Sequence, residues 1–231
     1  MKIKTNQKMI ARNAKIGKYA GIASLIILGG GMYLNFRYKT QVWYSLAALV
    51  IGFILSQVSI YYTNQFGSQP RPDQAIDDAL KGLDDRYTLY HYTTPVKHLL
   101  VGPAGTWIIF PYHQKGKIVY DDEKEKWNRK GGNIYMKFFA QDSIGRPTHE
   151  IPAAKERLRS YLQTIPEIEI PPIHAALIFT HEEVEVQADD APYPTLHALQ
   201  LKKFIRKQEK GERSLSMTTV QTLQDALNPN H

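Results

Sequence analysis

Two long runs without a charged residue dominate the hydropathy pattern of the first quarter of the chain. Residues 19–36, YAGIASLIILGGGMYLNF, and residues 42–62, VWYSLAALVIGFILSQVSIYY, carry no charge. At a rise of about 1.5 Å per residue, helices of this length cross the hydrocarbon core of a bilayer. Only the short segment RYKTQ separates the two runs, so the pattern predicts an antiparallel transmembrane hairpin. Aromatic residues near the ends of both runs resemble an interfacial belt: Tyr19, Tyr33, Trp43, Tyr44, Tyr61 and Tyr62.

Two other interpretations fit an apolar run close to the N-terminus. A signal peptide has a shorter apolar core and a cleavage site of small residues, whereas Asn35, Phe36 and Arg37 end the first run here. A second apolar run also follows at once. A pair of buried helices in a soluble protein is the other alternative, and two uncharged runs of this length argue against it.

Beyond a polar linker over residues 63–72, the pattern changes between helical and strand periodicity. Residues 173–180 are almost continuously apolar, which is typical of a strand buried on both faces. The order of elements predicts an α/β domain with a mixed central sheet flanked by helices. Helices are predicted over 72–83, 151–165, 195–210 and 216–227, the last with Ser216 as N-cap. Strands are predicted over 87–93, 97–103, 105–112, 115–121, 133–141 and 173–180.

These elements divide the chain into four parts. A basic N-terminal tail is predicted over 1–18, the two-helix hairpin over 19–62, the linker over 63–72, and a soluble α/β domain over 73–231. Six Lys and Arg residues precede the first apolar run and two lie between the runs. The positive-inside rule then places both termini in the cytoplasm of a protein that crosses the cell membrane twice.

The distribution of charge along the chain determines how its net positive charge is interpreted. The formal net charge is +7, but no acidic residue precedes Asp73. From residue 70 onward the chain carries 21 basic and 22 acidic residues, so the domain itself is balanced. Binding to nucleic acid through the phosphate backbone needs a basic face, and the charge of the domain does not support such a partner. The basic segment 201–213 has a solvated helix face as its simpler explanation, with anionic lipid or nucleic acid as alternatives.

Metal chemistry has few candidate ligands in this chain. There is no cysteine, and the eight histidines are scattered without an H-E-x-x-H pattern. The stretch THEEVEV over 180–186 places His181 beside two glutamates but has no second histidine one helical turn later. We therefore expect no metal site and no cofactor.

A tight turn lies at the centre of the domain. Residues 97–112, KHLLVGPAGTWIIFPY, form two apolar strands joined by Gly102, Pro103, Ala104 and Gly105. Glycines flanking such a turn indicate a backbone that L-residues rarely adopt, so we expect a positive φ at Gly102 or Gly105.

On these motifs the soluble part resembles the nuclease-related domain family, whose fold is that of restriction endonucleases. The resemblance covers about 155 residues, and the Val-Gly-Pro-x-Gly turn and the order of elements carry it. The matching segments are Pro72-Asp73 at a helix start, KHLLVGPAG over 97–105, TWIIFPYHQKG over 106–116, Trp127, Pro147 to Glu150, AALIFT over 175–180, and LSMTTVQTLQDAL over 215–227.

The resemblance also implies which residues should carry nuclease chemistry, and most of them are replaced. Where the family has its two metal-binding acids, this chain has Lys97 and Phe110. Tyr112 stands at the position of the catalytic lysine, and Glu150 stands at the position of a helix glutamine. Asp73 is the one acid that still matches the residue type of its family position. Residues 86–120 contain no Asp or Glu, so no shift of register supplies a carboxylate for Mg²⁺.

The expected function is therefore that of a membrane-anchored, non-catalytic module that binds or scaffolds, with no catalytic residue. Its expected partners are the lipid bilayer and another protein. Two alternatives stay open: a Mg²⁺-dependent nuclease with a relocated site, and a nucleic-acid-binding module without cleavage. Two interpretations also stay open for the charged residues at the family positions. One is a charge cluster without metal, and the other is that all three side chains face water: Lys97, Asp73 and Glu150.

Overall fold

The computed structural model describes residues 1–38, 42–130, 144–166, 168–211 and 214–228 of the 231-residue chain. The chain divides into two compact units. One unit is Asn6–Arg71, and the other combines Met1–Thr5 with Pro72–His231. The first unit is helical, whereas the second is mixed α/β. In the sequence, the helical unit is thus inserted into the α/β unit directly after the first strand.

The helical unit consists of α1, Gln7–Arg37, and α2, Val42–Tyr62, which continues into a π-helical turn at Thr63–Gly67. By length and composition, two helices in the described part of the chain are apolar enough to cross a membrane. Apolar side chains point outward along both helices: Leu25 is 73% exposed and Trp43 is 81% exposed. Lipid-facing surfaces have this character, because hydrocarbon is as apolar as these side chains.

Small polar side chains join the two helices. The hydroxyl groups of Ser24 and Ser59 donate to the carbonyl oxygens of Gly52 and Gly17 at 2.7 and 2.8 Å. Hydrogen bonds of this kind stabilise helix pairs in lipid, where no water competes. The pairs run in opposite directions along α1 and α2, as the predicted antiparallel hairpin requires. The predicted linker residues 39–41 between the helices lie outside the described residues.

The strands of the α/β unit are β1 Lys2–Thr5, β2 Thr88–His91, β3 His98–Gly102, β4 Gly105–Tyr112, β5 Gly116–Asp121, β6 Lys126–Lys130, β7 Ile173–Phe179, β8 Val184–Gln187 and β9 Thr195–His197. A six-stranded mixed sheet has the order β1-β2-β3-β4-β7-β9. In this sheet β1 is parallel to β2, β3 is antiparallel to both β2 and β4, and β7 is parallel to both β4 and β9. A second sheet has the order β6-β5-β8.

Two hydrophobic clusters cover the two faces of the large sheet. The first cluster joins α4, Pro147–Gln163, and α6, Met217–Ala226, to one face. The second cluster joins α3, Pro72–Leu80, and α5, Ala198–Gln208, to the other face. Strand β7 contributes alternate residues to both clusters and is almost entirely buried, as its apolar run predicts. The prediction of a mixed sheet flanked by helices is confirmed.

The N-terminal segment differs from the prediction. Residues 1–18 do not form a separate basic tail, because residues 2–5 form β1 and α1 already begins at Gln7. Asn6 caps that helix by accepting a hydrogen bond from the Met9 backbone N–H at 3.0 Å. The first turns of α1 therefore carry four of the six Lys and Arg residues assigned to the tail, and the uncharged run starts at Tyr19.

Two other segments also differ. No strand is predicted between residues 121 and 133, yet Lys126–Lys130 form β6, because Trp127 packs its ring against Tyr120 across the β5–β6 pair. Residues 195–197, predicted to start a helix, form β9 beside β7. The predicted strand 133–141 lies outside the described residues.

Candidate functional site

The turn between β3 and β4 has the strained backbone that its glycines predict. Gly105 has a φ of +106°, which confirms a positive φ at one of the two positions. A Cβ on Gly102 would lie 2.2 Å from a ring carbon of Tyr87, so this glycine is required by close approach. The carbonyl of Pro103 accepts a hydrogen bond from the Leu215 N–H at 2.9 Å, which ties the turn to the segment before α6.

Phe110 and Tyr112 lie on the face of β4 that packs against the first hydrophobic cluster. The Tyr112 ring stacks on Phe179 with centroids 5.4 Å apart. Its hydroxyl oxygen is buried and has no hydrogen-bond partner among the described residues. Burial raises the pKa of Tyr112, and the negative charge of Glu150 raises it further. Two positions that the resemblance assigns to metal and catalysis are therefore filled by aromatic packing.

Lys97 and Glu150 are both exposed. The backbone carbonyl of Lys97, just before β3, accepts a hydrogen bond from the Tyr92 N–H at 2.8 Å. Glu150 lies in the first turn of α4, and its Oε1 accepts a hydrogen bond from the Arg146 N–H at 3.1 Å. Its carboxylate thereby stabilises the start of its own helix, which is a common role for an acid at this position.

Asp73 is placed differently from the other four predicted positions. It lies in the first turn of α3 and is only 2% exposed, so it does not face water. Helix α3 packs Ile76 and Leu80 into the second cluster, on the sheet face opposite Phe110 and Tyr112. The structure thus brings Tyr112 and Glu150 within electrostatic reach of each other, while Asp73 belongs to a helix on the other side.

A group of polar residues that the sequence analysis missed lies at one end of the large sheet. His91 Nδ1 and His98 Nδ1 are 2.8 Å apart, and His91 Nε2 is 3.0 Å from Asp77 Oδ1. We call these three residues the histidine array. The sequence shows the histidines as scattered, and only the register of β2 with β3 places His91 opposite His98.

A second polar group lies where the parallel strands β4 and β7 end. Thr180 Oγ1 donates to the Tyr112 carbonyl at 3.2 Å, so it accepts at 3.0 Å from His113 Nδ1–H. His181 Nδ1 accepts from the Glu183 N–H at 3.1 Å, which occupies that nitrogen within its own loop. Burial and the neighbouring His181 lower the pKa of His113. Within the described ranges, no group of three or more His, Cys, Asp or Glu side chains is arranged to hold a metal ion.

Comparisons with known proteins assign no family to this chain. No protein-family model matches the chain, and neither a curated protein nor a solved structure matches it. The class that the fold defines is a mixed α/β protein that also carries two apolar helices long enough to cross a membrane.

Proposed function

We propose that this chain is a membrane-anchored, non-catalytic binding or scaffolding module. Its α/β unit is nuclease-related, of the restriction-endonuclease-like kind, and works at the cytoplasmic face of the cell membrane. The observation that carries the proposal is the aromatic packing of Phe110 and Tyr112 against the first hydrophobic cluster.

The packing matters because of what cleavage by this fold requires. Mg²⁺ is held by hard oxygen ligands, and a cationic side chain near the site repels it. Phe110 has no ligand atom, the Tyr112 hydroxyl is buried, and Lys97 carries a positive charge. A carboxylate in place of Phe110 would be partly buried in an apolar cluster, where an ionised group is costly without a partner.

The order of elements supports the nuclease-related part of the proposal. The resemblance rests on a helix, a strand hairpin with the Val-Gly-Pro-x-Gly turn, a second helix, a doubly buried strand and a final helix. Helix α3, the β3–β4 hairpin, α4, β7 and α6 occur in this order along the chain.

The pairing of β1 supports the membrane arrangement. Two crossings return a chain to the side from which it started, and β1 can join β2 only if both lie on one side of the bilayer. The basic residues before the first apolar run favour the cytoplasmic side. With the balanced charge of the domain, a protein partner fits better than nucleic acid.

The direct test is a cleavage assay on the purified full-length protein in detergent. Because the replaced residues remove the metal ligands, we expect no nicking of plasmid DNA and no cleavage of RNA with Mg²⁺ or Mn²⁺. DNA and RNA binding is measured on the same sample. The triple variant Lys97→Asp, Phe110→Glu and Tyr112→Lys tests whether the scaffold regains metal binding, measured by calorimetric Mn²⁺ titration.

Asp73→Ala is the matched control, because it removes the one family acid that the chain keeps. Metal-dependent nicking by the wild type that Asp73→Ala abolishes would replace this proposal with the relocated nuclease. Tight, salt-dependent nucleic-acid binding without cleavage would support the nucleic-acid-binding alternative instead.

A further inference from the structure

The histidine array joins three elements of the α/β unit at the end of the large sheet. His91 is the last residue of β2, and His98, opposite it, is the first residue of β3. Asp77 belongs to α3, which covers this face. Both imidazoles are buried, with 0% exposure for His91 and 1% for His98, whereas Asp77 reaches solvent. The array therefore runs from a solvated carboxylate to a fully buried ring.

The two hydrogen-bond distances determine where the protons lie at neutral pH. The Asp77 carboxylate accepts from His91 Nε2–H, so neutral His91 has its lone pair on Nδ1. The 2.8 Å contact between the Nδ1 atoms holds a single hydrogen, which His98 then supplies. His98 Nε2 is left with a lone pair, and it has no hydrogen-bond partner among the described residues.

One more proton cannot be added without cost. Whichever ring takes the charge, the contact between the Nδ1 atoms still holds one hydrogen, so the additional hydrogen lies on His98 Nε2. A buried N–H without an acceptor costs about 1–3 kcal/mol. A second additional proton would place two N–H groups against each other across the 2.8 Å contact and break it.

The neighbouring groups do not remove this cost. Lys97, next to His98 in the chain, is positively charged, and the Tyr92 ring lies against the His98 ring with centroids 5.0 Å apart. Asp73, one turn before Asp77 on α3, is a buried carboxyl on the same element. On the β1 side, Thr5 pairs with His91, while Lys4 Nζ donates to Asn228 Oδ1. Burial, His91 and Lys97 all lower the pKa of His98.

We propose that Asp77, His91 and His98 form a buried, hydrogen-bonded lock that holds α3 against the ends of β2 and β3 and opens on acidification. Thr5 is the last residue of β1 and pairs with His91, and α1 begins at Gln7. Opening therefore loosens the strand from which the apolar hairpin continues. Tyr92, directly after His91, has a positive φ of 57°, which is strained for a tyrosine, so we expect the adjoining turn to open together with the lock. This inference does not depend on the proposed binding function.

The sign of the pH effect follows from the lowered pKa of His98. Below pH ~6.5 the unfolded chain binds a proton at this histidine that the native protein does not bind, so stability falls as the pH falls. The test measures thermal unfolding of the full-length protein in detergent from pH 7.5 to 5.0. His98→Leu removes the titrating group, and His149→Gln changes an exposed histidine of α4 as the matched control.

We expect wild type and His149→Gln to lose about 2–4 °C more in melting temperature over this range than His98→Leu. Parallel losses in all three proteins overturn the proposal.

If His98→Leu does not fold, exchange of the imidazole C2 hydrogen in the wild type, followed by mass spectrometry, reports the titration of His98 directly. A midpoint below the ordinary value of about 6.5 supports the lock, and a midpoint at or above that value overturns it. Amide exchange must also rise first in residues 2–5 and 92–97 as the pH is lowered, and a uniform rise contradicts the lock.

Discussion

Two tyrosines of the same hydrophobic cluster differ in what their hydroxyl groups contact. Tyr90 on β2 donates to the Gln224 carbonyl on α6 at 3.3 Å. Tyr112 on β4 places its hydroxyl in a buried position with no partner among the described residues. Burial is the main cause that raises the pKa of both side chains. One hydroxyl thus makes a hydrogen bond that stabilises the fold, while the other is buried without one in the described part of the chain.

This difference predicts opposite effects for the same substitution. Tyr90→Phe removes a hydrogen bond and should lower the free energy of unfolding by about 0.5–1.5 kcal/mol. Tyr112→Phe removes a hydroxyl that makes no hydrogen bond within the described ranges, so it should be neutral or stabilise the protein by up to about 1 kcal/mol. Denaturant unfolding of the full-length protein in detergent measures both. An equal loss for the two variants would mean that the Tyr112 hydroxyl does have a partner.

At this scale the sequence shows some of the candidate site but not all of it. The strand that carries Phe110 and Tyr112 could be predicted, because its apolar run follows a Gly-Pro-x-Gly turn. The histidine array could not, since Asp77, His91 and His98 lie on three elements and meet only through strand register and helix packing. The sequence also did not indicate that Asp73 is buried, because a charged residue at a helix start normally faces water.

At the scale of elements, the shortest strands were the hardest to predict. Strand β1 has only four residues and alternates Lys with Ile and Thr, so its pattern does not differ from that of a solvated tail. What makes it a strand is the free edge of β2, with which it pairs in parallel. The longer elements could be predicted from the sequence, because their apolar residues recur with a clear period. These elements are β4, β7, α4 and α6.

The role of β1 as a cover for that edge can be tested with soluble fragments. A fragment of residues 72–231 lacks β1, whereas a second fragment carries residues 1–6 joined to residue 72 by a flexible Gly/Ser linker. An unpaired edge strand promotes aggregation, so we expect the second fragment to aggregate less and to melt about 2–8 °C higher.

The matched control is Lys4→Pro in the linked fragment, which removes a backbone donor from the middle of β1. It should return the melting temperature to that of the fragment without β1. Identical melting and aggregation for all three fragments would show that the edge of β2 does not need this cover.

At the scale of the whole molecule, the proposed membrane arrangement makes a prediction that can be tested without knowing the function. The chain has no cysteine, so a single engineered thiol reports its side of the membrane without interference. A cysteine at Thr40 should react with an impermeant reagent added outside intact cells, because two crossings put the interhelical segment there. A cysteine at His231 should stay unlabelled until the cells are permeabilised. Both positions lie outside the described residues.

The reversed labelling pattern would refute the orientation, and labelling at both positions from outside would refute the two-span arrangement. A matched control places the cysteine at Glu123, in the exposed turn between β5 and β6. It should behave like the cysteine at His231, since both belong to the same unit.

The pairing of β1 with β2 also has a consequence for biosynthesis. Lys2 leaves the ribosome long before Thr88, the residue with which it pairs. At about 5–20 residues per second, translation takes on the order of 4–17 s to produce the partner strand. In the proposed membrane arrangement, the two apolar helices insert during that interval, while the N-terminal strand has nothing to pair with. Completion of the sheet is therefore a late step in the maturation of the nascent chain, and under the proposed arrangement it requires a hairpin that has inserted with both ends on the same side.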